Sequence, residues 1–257
     1  MNFLAIFGSR LEFLFDRIIG EPSAGWVRTA FGKPGAVIEQ EPTVMEQARI
    51  PHTTIPAPPH NDDAEGYHHR QMEEVSAIGV LDILLVGDSI AQQWPLAAWR
   101  PWTVFSLGVG GDLTQHVLWR LDQIVWGTCR PMRILIVAGT NNLLFGERHT
   151  DVADGIEAIA ARLDAAHPTA EVFVLLPPPL GLDLQRAATE RQALKALLTL
   201  WFGPRLIDAD AAMVADGLSP NPNYHLDFVH LTDCGYKELT RAVLSACDQT
   251  HRASNGS

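Results

Sequence analysis

Ser89 closes an apolar run, Ile83-Leu84-Leu85-Val86, in the tetrapeptide Gly87-Asp88-Ser89-Ile90, and far downstream Asp227-Phe228-Val229-His230 stands just ahead of a helical pattern. A serine hydroxyl is a poor nucleophile at its own pKa. It needs an imidazole beside it to take its proton and a carboxylate to hold that imidazole in one tautomer. The chain holds all three, in the order serine, aspartate, histidine. A separation of three between Asp227 and His230 can put both on one turn, with the carboxylate in reach of the ring Nδ1–H. His225 also lies near Asp227 and competes with His230 as the base.

The attack of a hydroxyl on an ester carbonyl builds an oxyanion, and each donor aimed at it contributes about 10²- to 10³-fold in rate. Three segments offer such donors: Gly87-Asp88-Ser89, Gly108-Val109-Gly110-Gly111-Asp112 and Gly139-Thr140-Asn141-Asn142. Each begins where a predicted strand ends, so three sequence-distant loops share one rim. The N–H groups of Ser89 and Gly108 and the side-chain amide of Asn141 are the candidate donors, glycine at 108 allowing close backbone approach. Taken singly these are weak signals, because glycine, aspartate, serine and asparagine form turns for backbone reasons alone. Together, in order and on one rim, they read as a catalytic site. A dinucleotide-binding fingerprint over the same glycines fails, because Leu113 occupies the position of the third glycine.

The elements that must carry these loops alternate. Apolar runs at Ile83–Val86, Val104–Leu107, Ile134–Val137, Val172–Leu176 and Leu206–Ile207 read as strands. Between them, Val117, Leu121, Ile124 and Val125 share one helical face, Val152, Ile156, Ile159 and Leu163 another behind Thr150-Asp151, and Leu194, Leu197, Leu198 and Trp201 a third. Tyr236, Leu239 and Val243 follow Thr232-Asp233 as the last helix. Such alternation predicts an α/β domain, a five-stranded doubly wound parallel sheet of flavodoxin-like type, with its site beyond the carboxyl ends of the strands.

Four blocks of this chain, Gly87-Asp88-Ser89, Gly108, Gly139-Thr140-Asn141 and Asp227-x-x-His230, resemble in order those of the SGNH (GDSL) hydrolase superfamily. Ser89, Gly108, Asn141 and His230 match its name-giving residues. The likeness is tighter with the catalytic subunits of intracellular platelet-activating-factor acetylhydrolases and their bacterial esterase relatives. Gly110-Gly111-Asp112-Leu113-Thr114-Gln115-His116-Val117-Leu118-Trp119-Arg120, Gly155-Ile156-Glu157-Ala158-Ile159 and Leu231-Thr232 are similar to that subfamily's wording. The resemblance implies that Ser89 attacks the carbonyl, that His230 is general base and then acid, and that Asp227 orients His230. It also implies an oxyanion hole of Ser89, Gly108 and Asn141, a short and most often acetyl acyl group, no metal or organic cofactor, and a homodimer. Val229 and the Leu143-Leu144 pair read as apolar walls limiting acyl length. Leu143-Leu144-Phe145-Gly146 departs from the acetylhydrolase pattern, which leaves the alcohol open between a carbohydrate and a lipid. Two rival readings keep the same fold: an O-acetyltransferase using the same triad, and a non-catalytic flavodoxin-like binding module, against which the intact triad argues.

A formal net charge of -11 disfavours nucleic acid or an anionic membrane surface as partner, and a small neutral ester fits better. Cys129, Cys234 and Cys247 are odd in number and widely spaced, so no disulfide framework or thiolate metal site is indicated. No run approaches the ~18 apolar residues of a membrane span and the N-terminus has no basic leader, which reads as a cytoplasmic protein. Residues 1–66 divide from a hydrolase domain over 67–250: Leu4, Phe7, Leu11, Leu14 and Ile18 mark an amphipathic helix, and a proline-rich arm runs from Gly20 to Gly66. That helix reads as docking on its own domain or a sister subunit. His52, His60, His68 and His69 with Asp62 and Asp63 have no compact ligand spacing and read as a solvated stretch, while His116 reads as a structural or pocket-wall residue.

Overall fold

The computed structural model describes residues 51–59, 62–181, 184–214 and 221–255; the helix expected near the N-terminus and most of the proline-rich arm lie outside them. Five strands, β1 (Val80–Gly87), β2 (Val104–Gly108), β3 (Arg130–Val137), β4 (Glu171–Leu175) and β5 (Leu206–Ile207), form one sheet in the order β2-β1-β3-β4-β5. Every neighbouring pair is parallel. Such pairing demands crossovers, and helices cover both faces, so the central strands read as unbroken apolar runs. Ile83, Leu84, Leu85 and Val86 are accordingly all buried. This is the predicted doubly wound, flavodoxin-like order, whose switch point falls between β1 and β3.

The helices are α1 (Asp62–Ala77), α2 (Ser89–Gln92), α3 (Thr114–Gln123), α4 (Thr140–Leu144), α5 (His149–Ala166), α6 (Ala188–Phe202), α7 (Asp210–Met213) and α8 (Asp233–Asn255). One apolar layer joins the sheet to α1, α3, α5 and α6 through Val75, Val117, Ile156 and Leu194. The other joins it to α2, α7 and α8 through Ile90, Trp94, Met213, Tyr236 and Val243. Each fully buried aliphatic or aromatic side chain contributes about 1.5–3 kcal/mol. In the second layer Tyr236 also donates its hydroxyl to the Ile90 carbonyl at 3.1 Å, and the Trp94 indole N–H donates to Thr240 Oγ1 at 2.9 Å. Helix α8 thus holds the short helix that begins at Ser89.

Three helix details differ from the periodicity. Val125 lies beyond the end of α3 and is 75% exposed, because the helix stops at Gln123 and the chain turns extended at Ile124. Helix α5 starts at His149 behind Arg148, which leaves Asp151 in the first turn, where a carboxylate faces the positive end of the helix dipole. Trp201 is exposed while Leu194 and Leu198 carry the buried face of α6. The last helix starts as expected, with Thr232 Oγ1 accepting from the Gly235 N–H at 3.3 Å.

Part of the proline-rich stretch packs on the domain. Thr53 is fully buried; its hydroxyl donates to the Asp151 carbonyl at 2.5 Å and its carbonyl accepts from Thr114 Oγ1 at 3.1 Å. Helix α1 already includes Gly66 and buries His68 against Trp119, with ring centroids 5.8 Å apart. The solvated reading of His68 is therefore overturned: burial, with Arg120 and His69 nearby, pushes its pKa down to about 4, so it is neutral at physiological pH.

The contact between α3 and α5 depends on Gly155. A Cβ there would stand 2.5 Å from Thr114 Oγ1 and 2.7 Å from Thr114 Cβ. Gly155→Ala is expected to lower stability by about 1–3 kcal/mol, as overpacking does. A urea midpoint equal to that of the parent would contradict so close a packing.

Candidate active site

Ser89 is the first residue of α2, directly after β1. Asp88 caps this helix, its Oδ1 accepting from the Ile90 N–H at 2.9 Å. A helix start leaves its first N–H groups without intrahelical partners, so the Ser89 N–H is open to a ligand. His230 reaches the same point from a tight loop closed by the Tyr224–Leu231 bridge, both residues being anchored in the core. Within that loop Asp227 Oδ1 accepts from the N–H groups of Val229 and His230, each at 3.0 Å, while Phe228 takes up the left-handed backbone with φ 55°. Asp227 Oδ2 accepts from His230 Nδ1 at 2.7 Å, and Ser89 Oγ lies 3.0 Å from His230 Nε2.

Protonation follows from these contacts. Partial burial opposes the charge on Asp227, but the hydrogen bonds from the His230 ring and from the Val229 and His230 N–H groups win and bring its pKa down to about 2. An ionised Asp227 accepts only, so Nδ1 carries the proton and Nε2 presents its lone pair to the Ser89 hydroxyl. His225 makes no such contact; its backbone N–H donates to the His230 carbonyl at 2.9 Å, which closes the loop.

The loops after β2 and β3 complete the rim. Asn141 Nδ2 donates to the Asp112 carbonyl at 2.9 Å, and Asn142 ties the same two loops by accepting from the Thr114 N–H at 3.1 Å. One expected donor is contradicted. Gly108 lies within β2, opposite Gly87, and its N–H already donates to Ser106 Oγ at 3.1 Å. A Cβ at 108 would stand 2.2 Å from Gln92 N, so this glycine is needed for α2 to pack on β2 rather than to meet an oxyanion. The N–H groups without a hydrogen-bond partner on this loop, among the described residues, belong to Gly110 and Gly111. Leu143 is a second correction: it is buried among the core residues under α5 and cannot wall a site. Val229 is buried beside His230, and Leu144 is half-buried at the end of α4. His116 is structural, its Nδ1 accepting from the Leu113 N–H at 3.2 Å at the start of α3.

Beneath the rim lies an ion pair that pattern reading passed over. Arg120, fully buried on α3, donates from Nε to Asp112 Oδ2 at 2.6 Å, from Nη1 to the Leu107 carbonyl at 2.8 Å and from Nη2 to the Gly87 carbonyl at 3.0 Å. One guanidinium thus joins the ends of β1 and β2 to the loop that Asn141 touches. Burial pushes Asp112 up to about 6 against the pull of Arg120, which leaves it ionised at neutral pH. The available signal was an arginine on α3, between Trp119 and Leu121 and eight residues after an aspartate, too far apart for a local rule.

Asp88 is wholly enclosed, and burial raises its pKa from 3.8 to about 7, an effect that the Ile90 N–H offsets in part and neighbouring Asp112 reinforces. The folded protein therefore holds this proton in a range where the unfolded chain has lost it. That contribution to stability is full below the unfolded value and is lost as pH rises through about 7. Asp88→Asn keeps a cap acceptor without a titrating group, so its thermal midpoint relative to the parent is expected to rise between about pH 5 and pH 8. A relative midpoint that falls over that interval would contradict the assignment.

Similarity to known proteins gives the family. The GDSL-like lipase/acylhydrolase family model matches residues 85–238, from the end of β1 to the middle of the last helix's first turns. The chain belongs to that family. This hydrolase is 34% identical over 171 residues to the platelet-activating factor acetylhydrolase IB subunit alpha2 of Homo sapiens, covering 63% of this chain and 74% of the relative. It is 32% identical over 188 residues to the alpha1 subunit of Pongo abelii, covering 69% and 80%. A GDSL-like lipase from Bacteroides thetaiotaomicron shares its fold, with a TM-score of 0.60 at 19% identity over 71% of this chain and 98% of that one. The protein is a carboxylic ester hydrolase of the GDSL family, and no helix among the described residues is long and apolar enough to cross a membrane.

Proposed function

We propose that this hydrolase is a serine esterase that removes a short acyl group, acetyl above all, from an alcohol by way of an acyl-enzyme on Ser89. The observation that carries the reading is the unbroken chain from Ser89 Oγ to His230 Nε2 and from His230 Nδ1 to Asp227, at 3.0 and 2.7 Å. In this mechanism His230 takes the hydroxyl proton as Ser89 attacks the ester carbonyl, and then gives it to the departing alkoxide. Water repeats the sequence on the acyl-enzyme. Asp227, ionised throughout, fixes the ring and stabilises the imidazolium without taking the proton. The oxyanion is met by the Ser89 N–H, the Asn141 amide and, in place of Gly108, the free N–H groups of Gly110 and Gly111. Val229 beside the histidine and Leu144 at the end of α4 bound the acyl group. The acetyl preference is supported by the relatives, which are acetylhydrolase subunits by name.

The test is turnover of p-nitrophenyl acetate against p-nitrophenyl palmitate, with free acetate measured as product. The parent is expected to prefer the acetate ester strongly. Asn141→Ala is expected to lose about 10²-fold or more in kcat with KM little changed, as removal of one oxyanion donor does. Equal kcat for that variant and the parent would remove Asn141 from the oxyanion hole. Acetyl groups recovered as the ester of a supplied acceptor alcohol, with no free acetate released, would replace hydrolysis with acyl transfer.

A further inference from the structure

A second concave feature opens along the free edge of β2, between α1 and the segment that follows Ser89. It is a cleft of about 230 Å³ walled by Tyr67, Arg70, Gln71 and Glu74 of α1, Gln92 of α2 and Phe105 of β2. One of its walls, Gln92, lies on the side towards Ser89. A Cβ placed on Gly110 would stand 3.9 Å from Ser89 Cβ on one side and 2.9 Å from Gln92 Oε1 on the other, so Gln92 borders both spaces.

Gln71 gives the cleft its chemistry. Its Nε2 donates to the carbonyls of Ser106 and Gly108, at 3.0 and 3.1 Å. Since both partners only accept, the amide orientation is fixed, and the oxygen is the atom left over. That oxygen is buried, on a residue only 4% exposed, and has no donor among the described residues. A buried acceptor without a donor is unfavourable, and a ligand hydroxyl reaching it through a small shift of the Gln71 side chain would supply the missing bond. Glu74 adds a carboxylate acceptor. Tyr67, with the Arg70 guanidinium 5.5 Å from its ring centroid, and Phe105 add flat apolar faces.

Acceptors beside ring faces, in a volume below the 300–1,000 Å³ usual for drug-sized ligands, suit one compact polyhydroxylated unit. They do not suit a hydrocarbon acyl group, which offers no hydrogen bond to the Gln71 oxygen. We propose that this cleft is the alcohol subsite, that it holds a sugar-like polyol, and that Gln71 Oε1 accepts a hydrogen bond from one of its hydroxyls. The proposal rests on Ser89 being the nucleophile, because it treats the cleft as the leaving-group side of that centre.

Two measurements separate the two ideas. First, the Ser89→Ala protein is titrated with methyl α-D-glucopyranoside and, separately, with phosphocholine, each followed by NMR shifts. The glucoside is expected to bind and phosphocholine not, with binding weakened about 10-fold by adding Gln71→Met and also by adding Tyr67→Ala at the cleft mouth. Second, kcat/KM is measured for methyl 6-O-acetyl-α-D-glucopyranoside and for p-nitrophenyl acetate. The ratio of the first to the second is expected to fall about 10-fold in Gln71→Met and in Tyr67→Ala, through KM. Glucoside binding no tighter than phosphocholine binding, or a ratio unmoved in both variants with folding intact, overturns the sugar subsite while leaving the esterase standing. An enzyme inert towards both esters that still binds the glucoside through Gln71 overturns the esterase and keeps the cleft as a polyol site.

Discussion

Replacing Ser89 with alanine is expected to lower kcat on p-nitrophenyl acetate by about 10⁴-fold or more, with no change in fold and little in KM. The size follows from the role: removing the nucleophile of a serine hydrolase forfeits the covalent route and leaves only what the oxyanion donors and binding supply. His230→Ala is expected to cost a similar factor, because without a base within 3.0 Å the hydroxyl keeps its proton. The combined variant should be no slower than either alone, since the two act as a unit. Asp227→Asn should cost less than the other two but still orders of magnitude. An asparagine that donates to Nδ1 would place the imidazole proton on Nε2, facing Ser89. Additive losses in the Ser89/His230 pair would show that the two residues do not share a step.

Arg120→Met carries the largest expected effect on folding. It leaves the Asp112 carboxylate enclosed without its counter-charge and takes donors from the Gly87 and Leu107 carbonyls. Breaking one half of a buried pair costs about 3–5 kcal/mol, a large share of the roughly 5–15 kcal/mol that holds a typical domain together. Urea unfolding is the direct readout. Adding Asp112→Asn to Arg120→Met removes the stranded charge, and part of the lost stability is expected to return. A single variant as stable as the parent would mean that the ion pair does not fasten the rim. Because the same guanidinium holds the ends of β1 and β2, a folded residue of the single variant is also expected to turn over more slowly.

Much of this was legible in the chain because it depends on local rules. All five strands were marked by apolar runs, since strands covered on both faces leave no polar alternation to confuse the reading. Ser89, Asp227 and His230 were legible because a nucleophile at a strand end and a carboxylate three residues before a histidine are spaced by backbone geometry alone. Gly108 misled for a physical reason: a glycine after an apolar run signals close approach, and close approach there serves helix packing, with its N–H spent on Ser106. Leu143 misled similarly, because an apolar residue after the asparagine block can face either the site or the core, and α5 takes it. The Arg120–Asp112 pair, the burial of His68 and the Gln71 clamp on the edge of β2 were out of reach because they join elements whose contact only the fold decides.

The covalent role of Ser89 is the centre of the account, and labelling with a fluorophosphonate tests it most directly, with the attachment site read by peptide mass. One phosphonyl group is expected on Ser89 in the parent, none in Ser89→Ala, and labelling slowed by orders of magnitude in His230→Ala. A label on any other residue of the parent, or a His230→Ala protein that reacts as fast as the parent, would contradict it.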